Sequence, residues 1–97
     1  MNQAEVNKII TEKVLGEEWS IHWDAEFTNP DFSQWSDYGP LLEKIQSEEW
    51  WGDFHEVITF GEYRSRDVIW TLLNPARGSL ALAEFVVAHP EIFEGKQ

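Results

Sequence analysis

The chain has 97 residues, 42% apolar and 14% aromatic, which is one domain of sequence with enough apolar surface for a modest core. It holds no cysteine, so disulfide frameworks, thiolate zinc sites and cysteine nucleophiles are excluded. A net charge of −11 argues against direct binding to nucleic acid, whose phosphates would be repelled; it suits a basic protein partner, or simply solubility.

The opening MNQAEVNKII lacks the basic-then-apolar layout of a signal peptide. No apolar run approaches the roughly 18 residues of a membrane span, so a soluble intracellular protein is expected. Residues 3–15 read as an amphipathic helix, with Val6, Ile9, Ile10, Lys13 and Val14 at i, i+3, i+4 spacing. Asn2 and Glu5 resemble a capping box at its start, and Gly16 supplies a left-handed stop.

Residues 19–27 alternate strictly. Trp19, Ile21, Trp23, Ala25 and Phe27 fall on one side, and Ser20, His22, Asp24 and Glu26 on the other. This period of two predicts an extended arm with one buried face, lying on helices or forming a small hairpin. Asn29-Pro30-Asp31 then signals a turn. Pro40 suits the first turn of a helix capped at Ser36 or Asp37, and Leu41, Leu42, Ile45 and Glu49 carry helical spacing to about residue 49. Trp50, Trp51, Phe54, Val57 and Ile58 continue it as a second helix, broken from the first near Trp50–Gly52 and ended by Gly61.

Ser65 or Asp67 caps a short helix over Val68, Ile69, Leu72 and Leu73, although Val-Ile-Trp-Thr equally suits a buried strand. Asn74-Pro75 is an N-cap followed by proline at the first helical position. That last helix runs to about Ala88 and stops before His89-Pro90, because a residue preceding proline resists helical backbone. Leu82, Phe85 and Val86 form its stripe, while Ala76, Ser79 and Ala83 make a seam for close approach. Arg77 in the first turn opposes the macrodipole, which predicts an ion pair with the acidic middle of the chain. Ile92 and Phe93 fold back as a terminal turn. The expected fold is therefore a single mainly α domain over residues 1–97, a compact bundle of four to five short helices with an extended arm at 19–27. A small α+β layer, pairing that arm with 54–60 or 67–73, is the alternative.

Charge and tryptophan concentrate together. Between Glu17 and Glu56 lie eleven acids, one base (Lys44) and five of the six tryptophans. Trp50 and Trp51 cannot both point inward on a helix, where neighbours diverge by roughly 100°. One of the pair belongs to the core, and the other is exposed or reaches into a groove, an anchor framed by carboxylates; packing of both in the core at the junction between two helices is the alternative. The partner-binding candidates are thus Glu48, Glu49, Trp50, Trp51, Asp53 and Glu56.

Catalysis finds little support. His55 and Glu56 beside Asp53 could in principle move protons, but no nucleophile elbow, phosphate-cradling glycine loop or H-E-x-x-H occurs. The reading is of a protein that is not an enzyme and needs no cofactor. His22, Asp24 and Glu26 are weak metal candidates, since three alternating polar residues are also what a half-exposed strand displays.

Four phrases resemble a family of small proteins encoded mostly by bacteriophages and prophages. They are Lys13-Val14-Leu15-Gly16 with Trp19; Asn29-Pro30-Asp31-Phe32-Ser33 with Trp35 and Gly39; Trp50-Trp51 with Phe54; and Asn74-Pro75 with Phe85. Members similar to this chain often carry cysteines in the segment matching Glu17–Thr28, and this chain has none. The resemblance implies a phage-type origin and the cytoplasm of a bacterial host, and brings no activity with it. Together these readings predict a small acidic binding protein that engages a basic, nucleic-acid-binding host or phage protein. An anti-restriction or anti-CRISPR-like inhibitor standing in for DNA is one concrete form. A homo-oligomeric structural or accessory phage protein, and a metal- or small-ligand-binding protein, are the other classes.

Overall fold

Asn2 opens the first helix as its capping pattern predicts: the side-chain Oδ1 accepts the Glu5 backbone N–H at 2.8 Å. In the computed structural model, which describes residues 1–21, 29–60 and 72–93, helix α1 (Gln3–Ile9) passes directly into a π-helical turn (Ile10–Val14). That wide turn is carried by the Leu15 N–H donating to Ile10 O at 3.0 Å and the Glu17 N–H donating to Thr11 O at 2.9 Å. Gly16, at φ +66°, then ends the helix in the left-handed conformation. The wider turn shifts the buried face. Thr11 is buried, whereas Lys13, expected on the apolar stripe, is exposed.

Helix α2 (Trp35–Ile45) starts earlier than its proline implies, and Pro40 lies inside it rather than in its first turn. The cause is the hydrogen-bonded turn just upstream. Asp31 accepts the Ser33 N–H at 3.0 Å and the Ser33 hydroxyl at 2.6 Å, and the Ser33 hydroxyl holds the Asp31 carboxyl below its ordinary value. Asp37 reaches back to accept the Asp31 N–H at 2.9 Å, so neither Ser36 nor Asp37 is the cap. A helix already nucleated there tolerates a residue without an N–H in its second turn. α2 ends at Ile45, short of Glu49, and a turn over 46–50 leads into α3 (Trp51–Phe60).

Helix α4 (Pro75–Ala88) matches expectation at both ends. Asn74 Oδ1 accepts the Arg77 N–H at 3.2 Å, and the helix stops at His89 ahead of Pro90. The short α5 (Pro90–Phe93) then folds back and buries Phe93. All the other elements pack on α4: α1 and its π-turn, α2, α3 and α5. Its small buried residues Gly78, Ser79, Ala81 and Ala83 let neighbouring backbones come close, while Leu82, Phe85 and Val86 fill the core. Around them gather Val6, Ile10, Phe32, Tyr38, Leu41, Ile45, Trp50, Phe54, Ile58 and Phe93. Tyr38 is buried, its hydroxyl donates to Leu72 O at 2.8 Å, and burial pushes its pKa up to about 12.

A polar clamp runs through this core. Buried Asn7 accepts the Phe32 N–H at 3.0 Å and the Gln3 side-chain amide at 2.9 Å. Gln3 also donates to Ser79 Oγ on α4 at 3.3 Å, so α1, the 29–34 turn and α4 share one network. The fold is thus mainly α and compact, with a radius of gyration of 13.0 Å and no strand among the described residues.

Three expectations need correction or restriction. Residues 54–60 are helical, so the α+β pairing of the arm with that segment does not occur. Within the arm at 19–27 only residues 19–21 are described; their backbone is irregular, Trp19 is half-buried and Ile21 is 86% exposed, so no apolar face is covered at Ile21. The rest of the arm, Gly61 and residues 62–71 lie outside the described residues, and with them most of the helix-or-strand run at 67–73. Arg77 has no carboxylate within ion-pair distance among the described residues. Its side chain projects from the exposed side of α4, away from the face that Ser79 buries, and the expected ion pair is not formed with any described acid.

Candidate functional site

Asp53, Glu56 and Val57 sit at i, i+3 and i+4 of α3, so they share one side of that helix while Phe54 and Ile58 point into the core. The proline break after α4 sets the facing wall. His89 has φ −130° and ψ 60°, its N–H bonds Phe85 O at 3.0 Å, and the chain then turns into α5. The turn brings His89, Glu91 and Ile92 opposite α3. The result is an open groove of about 620 Å³ lined by Asp53, Glu56, Val57, Phe85, His89, Glu91 and Ile92.

The chemistry of this groove is two-sided. Its floor is apolar, with the buried Phe85 ring and the partly buried Ile92. Among the described residues, its rim carries three carboxylates and no lysine or arginine. Asp53 and Glu56 are exposed and make no hydrogen bond or ion pair with the described residues. Glu91 lies 3.4 Å from His89 Nδ1, and the His89 ring packs on Phe85 with centroids 4.6 Å apart.

The two adjacent tryptophans do not share a helix: Trp50 closes the 46–50 turn and Trp51 opens α3, half-buried against the core rather than exposed. Trp50 is core: it is 4% exposed and packs edge-on against Phe93 at 5.0 Å, with Phe85 at 5.9 Å. Its indole N–H is buried without a partner among the described residues. Trp50 is therefore withdrawn from the surface candidates. Trp51 is half-buried and packs against Phe54 and His55, with centroids 5.9 Å and 6.0 Å away. Among the other candidates, Asp53 and Glu56 meet in the groove, whereas Glu48 and Glu49 lie in the turn before α3 and do not line it. The metal candidates His22, Asp24 and Glu26 lie outside the described residues, and no group of three metal-capable side chains occurs among the described ones.

Not every described acid of the stretch lines this groove. Asp31 and Asp37 are occupied in shaping the turn before α2. Glu17 and Asp37 line a different groove of about 480 Å³, where Lys44 faces them. Sequence reasoning missed Val57, Phe85, His89, Glu91 and Ile92, since they join the site only when α3 meets the α4–α5 corner. His89-Pro90-Glu91 was the available signal, a helix stop flanked by two ionisable side chains. It also missed Trp35, which is 52% exposed at the start of α2 and rests edge-on to Tyr38 at 5.4 Å. Compared with protein-family models, with curated proteins and with solved structures, the chain matches none. No helix among the described residues is long and apolar enough to cross a membrane.

Proposed function

We propose that this chain is a small, non-catalytic, phage-type binding protein of the bacterial cytoplasm that engages a basic host or phage protein, one that itself handles nucleic acid. The observation carrying this reading is the groove between α3 and α5, where Asp53, Glu56 and Glu91 ring an apolar floor with no lysine or arginine among the described lining residues. A net charge of −11 extends the attraction beyond contact distance and steers a cationic partner toward it. Half-buried Trp51 and exposed Glu49 adjoin the N-terminal end of α3 and would widen the contact. The phage-type origin rests on the four sequence phrases. In the inhibitor form of this reading, the carboxylates occupy positions that DNA phosphates would take on the partner.

Capture from bacterial lysate at about 0.1 M and about 1 M salt tests it. The expected result is a basic, nucleic-acid-binding protein retained at the lower salt, lost at the higher, and displaced by added DNA. Retention of the same partner at 1 M, or recovery of none at 0.1 M, overturns the reading. Trp35, 52% exposed, favours one other class, self-association. Sedimentation at micromolar concentration that gives an oligomer for the wild type and a monomer for Trp35→Ser supports that class instead.

A further inference from the structure

Resting on that reading, we infer that the groove between α3 and α5 receives an amphipathic helix of the partner. This helix seats an apolar side chain on Phe85 and Ile92, with lysine or arginine one turn to either side meeting Asp53 and Glu56 on one wall and Glu91 on the other. Charge complementarity selects the sign of the occupant. Three carboxylates repel phosphates, nucleotides and acidic peptides, and only His89 among the lining residues can carry positive charge. The floor selects against a purely hydrophilic cation, because Phe85, Val57 and Ile92 gain nothing from a hydrated lysine chain end.

Shape selects the conformation. The groove measures about 620 Å³ and its long wall is the helix α3, the arrangement that accepts a second helix laid alongside. Strand addition needs a free sheet edge, and the described residues contain no strand. Asp53 and Glu56 stand about one helical turn apart on α3 and so form a short acidic strip along one wall, facing Glu91 on the other, which a basic residue on either side of the seated apolar one can meet.

Fluorescence anisotropy with three labelled peptides tests this. They are a Lys/Leu helix with all leucines on one face, a scrambled peptide of the same composition, and a Glu/Leu helix with the original pattern. The protein is used as wild type, as the groove variant Asp53→Asn/Glu56→Gln/Glu91→Gln, and as the charge-matched control Glu12→Gln/Glu18→Gln/Glu43→Gln, with folding checked by circular dichroism. The patterned Lys/Leu helix is expected to bind wild type at least about tenfold more tightly than either other peptide at about 0.1 M salt. The groove variant is expected to lose about tenfold in affinity for it, and the control less than about twofold. Val57→Ser, at a position already 37% exposed, should weaken the patterned peptide and leave the scrambled one unchanged. Equal binding of patterned and scrambled peptides, or equal losses in the groove and control variants, overturns the inference while leaving a diffuse attraction to basic proteins intact. If no Lys/Leu peptide binds but lysate capture succeeds, the inference alone falls. If both fail, the proposed function falls with it.

Discussion

Asn7→Leu removes the centre of the polar clamp while keeping side-chain volume nearly constant, so its cost reports hydrogen bonding rather than a cavity. In the wild type, Asn7 Oδ1 accepts the Phe32 N–H at 3.0 Å and the Gln3 amide at 2.9 Å, with Asn7 7% and Phe32 2% exposed. The substitution leaves the Phe32 N–H buried and unpaired, at about 1–3 kcal/mol. Gln3 is only half-buried and can turn to Ser79 or to water, and the 3.4 Å contact from Asn7 Nδ2 to Asp31 is too long to add much. A net loss of about 1–3 kcal/mol follows, or a fall in Tm on the order of 5–20 °C for a domain of this size. Asn7→Asp keeps the acceptor for Phe32 but faces Asp31 with a second carboxylate. It should be destabilised near neutral pH and recover as the pH falls and one carboxyl takes a proton. Urea denaturation of both variants, near pH 7 and about pH 4, gives the stabilities, and amide hydrogen exchange at Phe32 gives the local effect. Loss of less than about 1 kcal/mol in Asn7→Leu, with Phe32 N–H still protected, would show that packing of the Phe32 ring alone holds the turn, and the reasoning would be refuted.

Two further predictions concern stability. Burial holds the Tyr38 hydroxyl at about 12 against an ordinary 10.0, so the unfolded chain ionises first and native stability falls as pH rises between those values. Tyr38→Phe should flatten that alkaline slope in urea midpoints, and parallel slopes in the two proteins would contradict it. Gly16→Ala meets no neighbouring atom, yet places a Cβ on backbone at φ +66° and should cost about 1–2 kcal/mol through strain alone. A thermal melt matching or exceeding wild type would contradict that expectation.

The ends of α4 were legible because each signal acts locally: Asn74 bonds a backbone amide three residues on, and Pro90 restricts the residue before it. The division of labour at Trp50 and Trp51 was half-legible. Trp50 lies in the turn before α3 and only Trp51 is on the helix, and how far Trp50 turns inward depends on where Phe85 and Phe93 stand, residues remote in sequence. The start of α2 was misread because Pro40 was taken as the dominant cue, while side-chain bonds among Asp31, Ser33 and Asp37 had already formed a turn upstream. Ile21 shows the limit of periodicity. Its alternation with polar neighbours fits a half-buried strand, yet nothing in the described structure covers it. Of the candidate site, Asp53 and Glu56 were legible as members of an acidic stretch. Glu91, His89 and the apolar floor were not, because only the corner between α4 and α5 carries them across to α3.

The π-turn at Ile10–Val14 amounts to a one-residue surplus that the helix absorbs by widening one turn. Were one residue between Ile10 and Leu15 removed, the Leu15-to-Ile10 bond would become an ordinary α-helical one. Glu17 and Thr11 would then be separated as in a regular glycine-terminated helix end. The amino-terminal helix thus has the geometry of a standard helix carrying one extra residue, and taking that residue out would turn the side chains that follow it by roughly 100° relative to Val6 and Ile10.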